Sequence, residues 1–198
     1  KTKKYFTIRK LNDIKKFDFD YIVISSNTSK HFTHIKYIEK IFNNKKILVE
    51  KPLFNKFQKI KIKKNKVFVG YNLRFHPLIQ YLKTNLERSK IFNIKVICNS
   101  YLPDWRKNIN FKKSSSANKS KGGGVILDLS HEIDYIRWIF GEISLNFVKK
   151  DRISNITKDT EDTLYLNGKV KKANLSLDLN YFSRIPKRLI FVDGKNFS

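Results

Sequence analysis

The chain has 198 residues, 40% hydrophobic and 14% aromatic, with 42 basic against 17 acidic side chains and a net charge of +25. That apolar content fills a core and excludes a disordered chain, while the length allows one large domain or two small ones. No apolar run approaches the roughly 18 residues of a membrane span, the histidines are dispersed and Cys98 stands alone, which argues against a spanning helix, a metal cluster and a disulfide framework.

The basic excess is mostly lysine and is scattered through every segment, with no single basic arm. Specific nucleic-acid readers rely on arginine forks. No specific nucleic-acid partner is therefore expected, only weak attraction to polyanions at low salt. A lone cysteine and no signal peptide fit a cytoplasmic protein.

In chain order, Lys1–Phe19 reads as a scrap of strand and a short helix around Asn12–Lys16. Asp20–Ser25 is a β-branched run of the kind buried on both faces of a parallel sheet. The turn Ser26-Asn27-Thr28-Ser29 carries good N-cap residues, and Ile35, Ile38 and Phe42 place a helix over His31–Phe42. Lys46–Val49 is a second strand, a weak helix follows, and Lys66–Gly70 is a third strand. Alternation of this kind predicts right-handed crossovers and a parallel sheet, whose ligands bind beyond the carboxyl ends of the strands. Those ends are Ser25–Thr28, Glu50–Pro52 and Tyr71–Arg74, all polar.

Pro77 to about Lys90 reads as a helix leaving the sheet, and Phe92–Asn99 as a strand of a second one. Tyr101–Ser120 is a long loop of the kind that covers or binds ligands. Leu145–Lys149, Thr163–Leu166, Ala173–Phe182 and Arg188–Val192 alternate as strands, with hairpin turns expected at Asn167-Gly168 and Asp193-Gly194. The fold class is α/β: a partial Rossmann-type parallel sheet over residues 1–73, then an α+β domain with an open, mainly antiparallel sheet over 74–198. The start at Lys1 without methionine and the last turn without a partner strand read as a piece of a longer protein.

Between these strands lies Lys121–Gly141, where three glycines open a helical run and one closes it. Ile126, Leu129, Ile133, Ile136 and Phe140 share one face. Asp128 and His131 share roughly the opposite face, one turn apart, where a carboxylate can set an imidazole's tautomer and basicity. Leu127 and Trp138 flank His131 on that side and call for a covering wall.

Four stretches in this order, DYIVISSNTSKH, VEKPL, VGYNLRF and GGGVILDLSHEIDYIRWIFG, resemble the Gfo/Idh/MocA family of NAD(P)-dependent sugar oxidoreductases. The loop containing SYLPDWR is similar to a subgroup found with surface-sugar biosynthesis. The resemblance implies hydride transfer between NAD or NADP and a hydroxyl or ketone of a sugar or nucleotide-sugar, in a homo-oligomer of the parent protein. It implies cofactor contacts from Ser25, Ser26, Asn27, Thr28, His31, Glu50 and Lys51. Lys51 and His131 become catalytic, the first beside the reacting oxygen and the second as base, with Asp128 tuning the base. The Lys51–Pro52 bond is expected to be cis. Tyr71, Asn72, Arg74, Trp105, Arg106 and His131 are implied to meet the substrate.

Two departures stand out. Many family members place the aspartate four residues before the histidine, where this chain has three. The G-x-G-x-x-G fingerprint that seats a pyrophosphate on a helix N-terminus is absent, so the 198 residues alone are expected to bind NAD(P) poorly and to be inactive. The alternative is a non-catalytic sugar-binding or structural remnant of the same fold that has lost cofactor binding. A basic nucleic-acid-binding protein comes third.

Overall fold

The short apolar runs separate into two sheets. A computed structural model describes residues 7–8, 10–87, 90–108 and 110–198. Strands β1 (Tyr21–Ile24), β2 (Lys46–Val49) and β3 (Lys66–Val69) pair in parallel in the order 1-2-3. Helix α1 (Thr28–Ile41) makes the first crossover and lays Ile35 and Ile38 on Ile22, Ile24, Ile47 and Val49. Full burial of such side chains contributes about 1.5–3 kcal/mol each. The short helix near Asn12–Lys16 is a 3-10 turn, Leu11–Lys16. The strand expected before it lies outside the described residues, apart from fragments.

Two expectations for this sheet fail. Strand β1 is buried on one face only: Tyr21 and Val23, with Phe68 of β3, are more than half exposed. The weak helix between β2 and β3 does not form, and residues 53–65 run irregularly. Lys56, Lys59, Lys61, Lys63 and Lys64 would stack like charges at helical spacing with no carboxylate among them. Glu39 of α1 instead accepts the amides of Lys63 and Lys64 at 2.6 and 2.7 Å and fixes the return to β3.

Helix α2 (Pro77–Asn85) starts at a proline, with the His76 ring accepting from the Leu78 amide, and ends earlier than the expected Lys90. The second sheet holds β4 (Ile91–Tyr101), β5 (Ile143–Asp151), β6 (Thr163–Val170), β7 (Ala173–Asn180) and β8 (Phe182–Gly194) in the order 5-6-7-4-8. Every pair is antiparallel except β4 with β7. The run after the glycines is two helices, α3 (Val125–Asp128) and α4 (Ser130–Phe140), broken at Leu129 and closed at Gly141. They pack on the sheet's inner face through Val125, Ile136 and Ile139 against Ile94, Val96 and Leu177.

Both expected hairpin turns move by a few residues. Asn167 and Gly168 lie inside β6, and the turn is Lys171-Lys172, with Lys171 at φ 54°. Gly168 is required there because the partner strand bulges after Leu145, and a Cβ would overlap the Ser144 carbonyl oxygen. Asp193 and Gly194 stay in β8. The turn follows at Lys195-Asn196, where the Gly194 amide donates to Phe197 O at 2.9 Å.

The link from β5 to β6 is tied by Asp162, which is fully buried. Its carboxylate accepts the amides of Ile153 and Ser154 at 3.0 and 2.8 Å and the Ser154 hydroxyl at 2.5 Å. Asp162→Ala leaves these donors without a partner. We expect it to lower unfolding free energy by about 2–4 kcal/mol, read from a denaturant midpoint; a loss under about 1 kcal/mol would contradict this account. Among the described residues no helix is long and apolar enough to cross a membrane.

Candidate active site

The three parallel strands end side by side, and α3 and α4 meet in front of those ends. Beyond β2 come Glu50, Lys51 and Pro52, with the Lys51–Pro52 peptide cis as expected. The chain breaks helix at Leu129 (φ −96°, ψ 26°), so the Asp128 carbonyl stands outside the helical ladder; the Glu132 amide turns to Leu129 O instead. The freed carbonyl accepts a hydrogen bond from Lys51 Nζ, which joins the first sheet's loop to the second unit. Burial lowers the Lys51 pKa, opposed mainly by Asp128.

His131 sits in the first turn of α4 and lines the same cleft as Lys51. Its ring meets Tyr71 edge-on, centroids 5.6 Å apart at 83°. The Tyr71 hydroxyl lies 3.5 Å from Ser130 Oγ. Nδ1 of His131 is buried without a hydrogen-bond partner among the described residues. Burial first, then the charges of Lys51 and Arg188, push its pKa down to about 4, so the imidazole is neutral near pH 7. A neutral imidazole with an unengaged ring nitrogen can accept a proton. The cleft holds about 580 Å³, and Asn72, Asn99, Trp105 and Arg188 complete its walls with Lys51 and His131.

Asp128 lines this cleft without serving the imidazole as expected. Its Oδ2 accepts from the Tyr181 hydroxyl at 2.7 Å, because the break at Leu129 takes Asp128 and His131 out of one helical register. Leu127 and Trp138 wall a neighbouring cleft rather than the one beside His131. Arg74 does not line this cleft. It grips Asp134 by Nε and Nη2 at 2.8 and 2.6 Å and stacks 5.6 Å from the Trp138 ring. Arg106 lies apart, by a small cavity beside Leu102 and Phe111. Trp105 reaches the cleft, held by Ser100 Oγ at 2.9 Å and edge-on to Tyr181 at 5.3 Å.

His31 is 1% exposed and closed off from any ligand. Its Nε2 lies 2.9 Å from Ser26 O, and its Nδ1 lies 3.2 Å from both Pro52 O and Leu53 O. It clips the turn after β1 to the turn after β2 from beneath. Ser26 Oγ meets His34 Nδ1 at 3.1 Å, whereas Ser25, Asn27 and Glu50 stand exposed at the strand ends. The Glu50 amide donates to Ile24 O at 2.9 Å, while its side chain makes no hydrogen bond or ion pair among the described residues, and a free carboxylate beside these small polar side chains suits a ribose diol. These side chains could hold a ribose of a bound dinucleotide. No turn after a parallel strand in the described residues carries the glycine-rich pattern for the pyrophosphate.

Sequence reasoning gave Glu132 an ion-pairing role and missed its partner, Arg188. Glu132 is wholly buried and pairs with Arg188 Nε at 2.8 Å, beside Cys98 and Tyr135. Burial raises the Glu132 carboxyl and pushes the Cys98 thiol up to about 12. A charged residue on the buried side of α4 was the available signal, but its partner lies 56 positions away on β8.

No protein-family model matches the chain. It is 28% identical over 128 residues to an uncharacterized oxidoreductase of Synechocystis, covering 61% of this chain and 34% of that protein. Among solved structures, the WlbA dehydrogenase of Bordetella pertussis, in complex with NADH and UDP-GlcNAcA, matches 95% of this chain and 57% of its own, with TM-score 0.78 and 15% identity. Myo-inositol 2-dehydrogenase of Lactobacillus plantarum matches 93% of this chain and 58% of its own, with TM-score 0.72 and 19% identity. The chain therefore spans about a third of the curated relative's length and a little over half of these solved structures. Its fold is that of these solved dehydrogenases, a Rossmann-like sheet followed by an α+β domain.

Proposed function

We propose that this chain carries the substrate-side machinery of an NAD(P)-dependent dehydrogenase acting on a hydroxyl, or the matching ketone, of a sugar or nucleotide-sugar. The observation that carries the reading is the convergence of Lys51 and His131 on one cleft in front of three parallel strand ends. Division into units 1–73 and 74–198 belongs to the same reading and is supported by a separate core for each sheet. Pairing of two copies through the outer face of the second sheet also belongs to it. Phe147, Tyr165, Leu189 and Phe191 stand exposed there.

When bound, the nicotinamide supplies a hydride acceptor. The residues of this chain do the rest. Glu50 and the Ser25–Thr28 turn hold the ribose. Lys51, fixed by the Asp128 carbonyl, places its ammonium beside the substrate hydroxyl and stabilises alkoxide charge as it develops. Neutral His131 takes the hydroxyl proton. Asn72 and Trp105 close the sugar's sides. Tyr181 holds Asp128 in place, so its hydroxyl sets where Lys51 points, and the Asp162 carbonyl in turn receives the Tyr181 amide at 3.0 Å.

The direct test is NADH or NADPH formation by the full-length parent protein with a panel of sugars and nucleotide-sugars. Lack of turnover in every case would overturn the reading. The pH profile of kcat/KM adds a second test. His131 acts unprotonated, and with its pKa pushed down to about 4 the acid limb is expected near pH 4. Lys51 acts protonated, and burial brings its pKa below the ordinary 10.5, so the alkaline limb is expected below that value. An acid limb at the usual histidine value of 6.5 would contradict the buried, unpartnered imidazole.

A further inference from the structure

The cleft's lining is unbalanced in charge in a way that turnover of a neutral sugar does not call for. Lys51, Lys187 and Arg188 line it against one carboxylate, Asp128, which the Tyr181 hydroxyl already engages. The three cations come from two sides. Lys51 arrives from the loop after β2, while Lys187 and Arg188 lie on β8, opposite Asn99 and Cys98 of β4.

Arg188 is the built part of that wall. Its Nε is held at 2.8 Å by Glu132, whose side chain has no exposure at all, whereas the Arg188 side chain is 49% exposed. The two form an ion pair without hydrogen-bond geometry, so the buried carboxylate anchors the guanidinium by charge and close contact and leaves its exposed half to whatever enters above. Next to it, Asn99 also lines the cleft, and its Oδ1 is buried without a hydrogen-bond partner among the described residues.

We propose that Arg188 and Lys187 form an anion subsite in this cleft, so that the substrate is a sugar carrying a carboxylate or phosphate substituent rather than a neutral one. Glu132 is the positioning residue of that subsite. The proposal rests on the sugar-dehydrogenase reading of the cleft and names the class of sugar.

Titration calorimetry with the purified protein at moderate salt compares D-glucuronate, D-glucose 6-phosphate and D-glucose. One of the two anionic hexoses is expected to bind at least about tenfold tighter than glucose, as a charge-assisted hydrogen bond confers, and whichever does identifies the substituent. Lys187→Gln, on an exposed side chain, is expected to shrink the preference severalfold. Arg188→Gln alone strands the buried Glu132 charge, so the second variant is Glu132→Gln with Arg188→Gln, which removes both charges and is expected to bring the three sugars near parity. Lys149→Gln, on exposed β5, is expected to leave the preference intact. Equal affinities in the unchanged protein, no binding of any of the three, or a preference that survives the double variant would each overturn the subsite. NADH formation by the parent protein separates the two ideas. Turnover with equal preference for neutral and acidic sugars defeats the subsite and keeps the dehydrogenase. A clear anion preference without NADH formation does the reverse.

Discussion

His131→Ala in the full-length parent is expected to lower kcat by about 10²–10⁴-fold while NADH affinity stays within about twofold. The imidazole is the neutral group in the cleft whose ring nitrogen lacks a partner, and it stands clear of the exposed strand ends proposed for the ribose. Stopped-flow turnover alongside NADH fluorescence titration reads both quantities, and an unchanged kcat would remove the base assignment. The same variant carries a stability signature. The folded pKa of His131 lies below its unfolded value, so the unfolded chain takes up that proton first and stability is lost as pH falls from about 6.5 toward 4. Without His131, part of that acid sensitivity disappears. Lys51→Met tests the partner group, with a comparable loss expected in kcat.

Gly123→Ala is expected to cost at least about 3 kcal/mol of folding stability, enough to unfold a marginal domain. A Cβ there would overlap the carbonyl oxygens of Ser115 and Ser116, which are backbone and cannot swing aside as a side chain could. The same loop is held where it is by the Gly124 amide on Ser116 O at 3.1 Å and the Gly123 amide on Asn118 O at 3.0 Å, with Ala117 fully buried. Gly70→Ala is the informative contrast. Its nearest obstacle, Val49 O, lies at 3.3 Å, a squeeze of a few tenths of an ångström, so a much smaller loss is expected. Denaturant unfolding of the two variants side by side checks the ranking. Equal midpoints would show that the glycine loop yields, contrary to the packing described.

Local signals carried well where chemistry and sequence neighbourhood coincide. The apolar runs located all three parallel strands, Glu50-Lys51-Pro52 marked the loop, and the resemblance built on it implied the cis bond. The glycines before Val125 marked the entry to the paired helices. What stayed illegible depends on distance along the chain. Helical periodicity runs smoothly through Leu129, so nothing in it reveals the break that hands the Asp128 carbonyl to Lys51 and its carboxylate to Tyr181, 53 residues further on. His31 looked like a cofactor contact because of its place after a strand, yet the turn after β2 folds over it and supplies two carbonyl oxygens. Gly168 resembled a turn signal, although its need comes from a bulge in the neighbouring strand. Arg74 suited a substrate contact by its place after the third strand, and Asp134, 60 residues further on, takes it into an ion pair instead.

The strand order of the second sheet governs when this cleft can exist during synthesis. Strand β4 is made before α3 and α4, yet its partners are β7 and β8, so it waits for segments that leave the ribosome some 80 to 100 residues later, while the first three strands pair with near neighbours. Pairing across such sequence separation is slow, and the first half of a nascent chain folds before the second is available. Arg188 sits in β8, made after β4, β5, β6 and β7 of the same sheet. The wall that faces Lys51 is therefore completed after those four strands, and a chain stalled before β8 leaves Ile94, Val96 and Cys98 of β4 without the strand that should lie beside them.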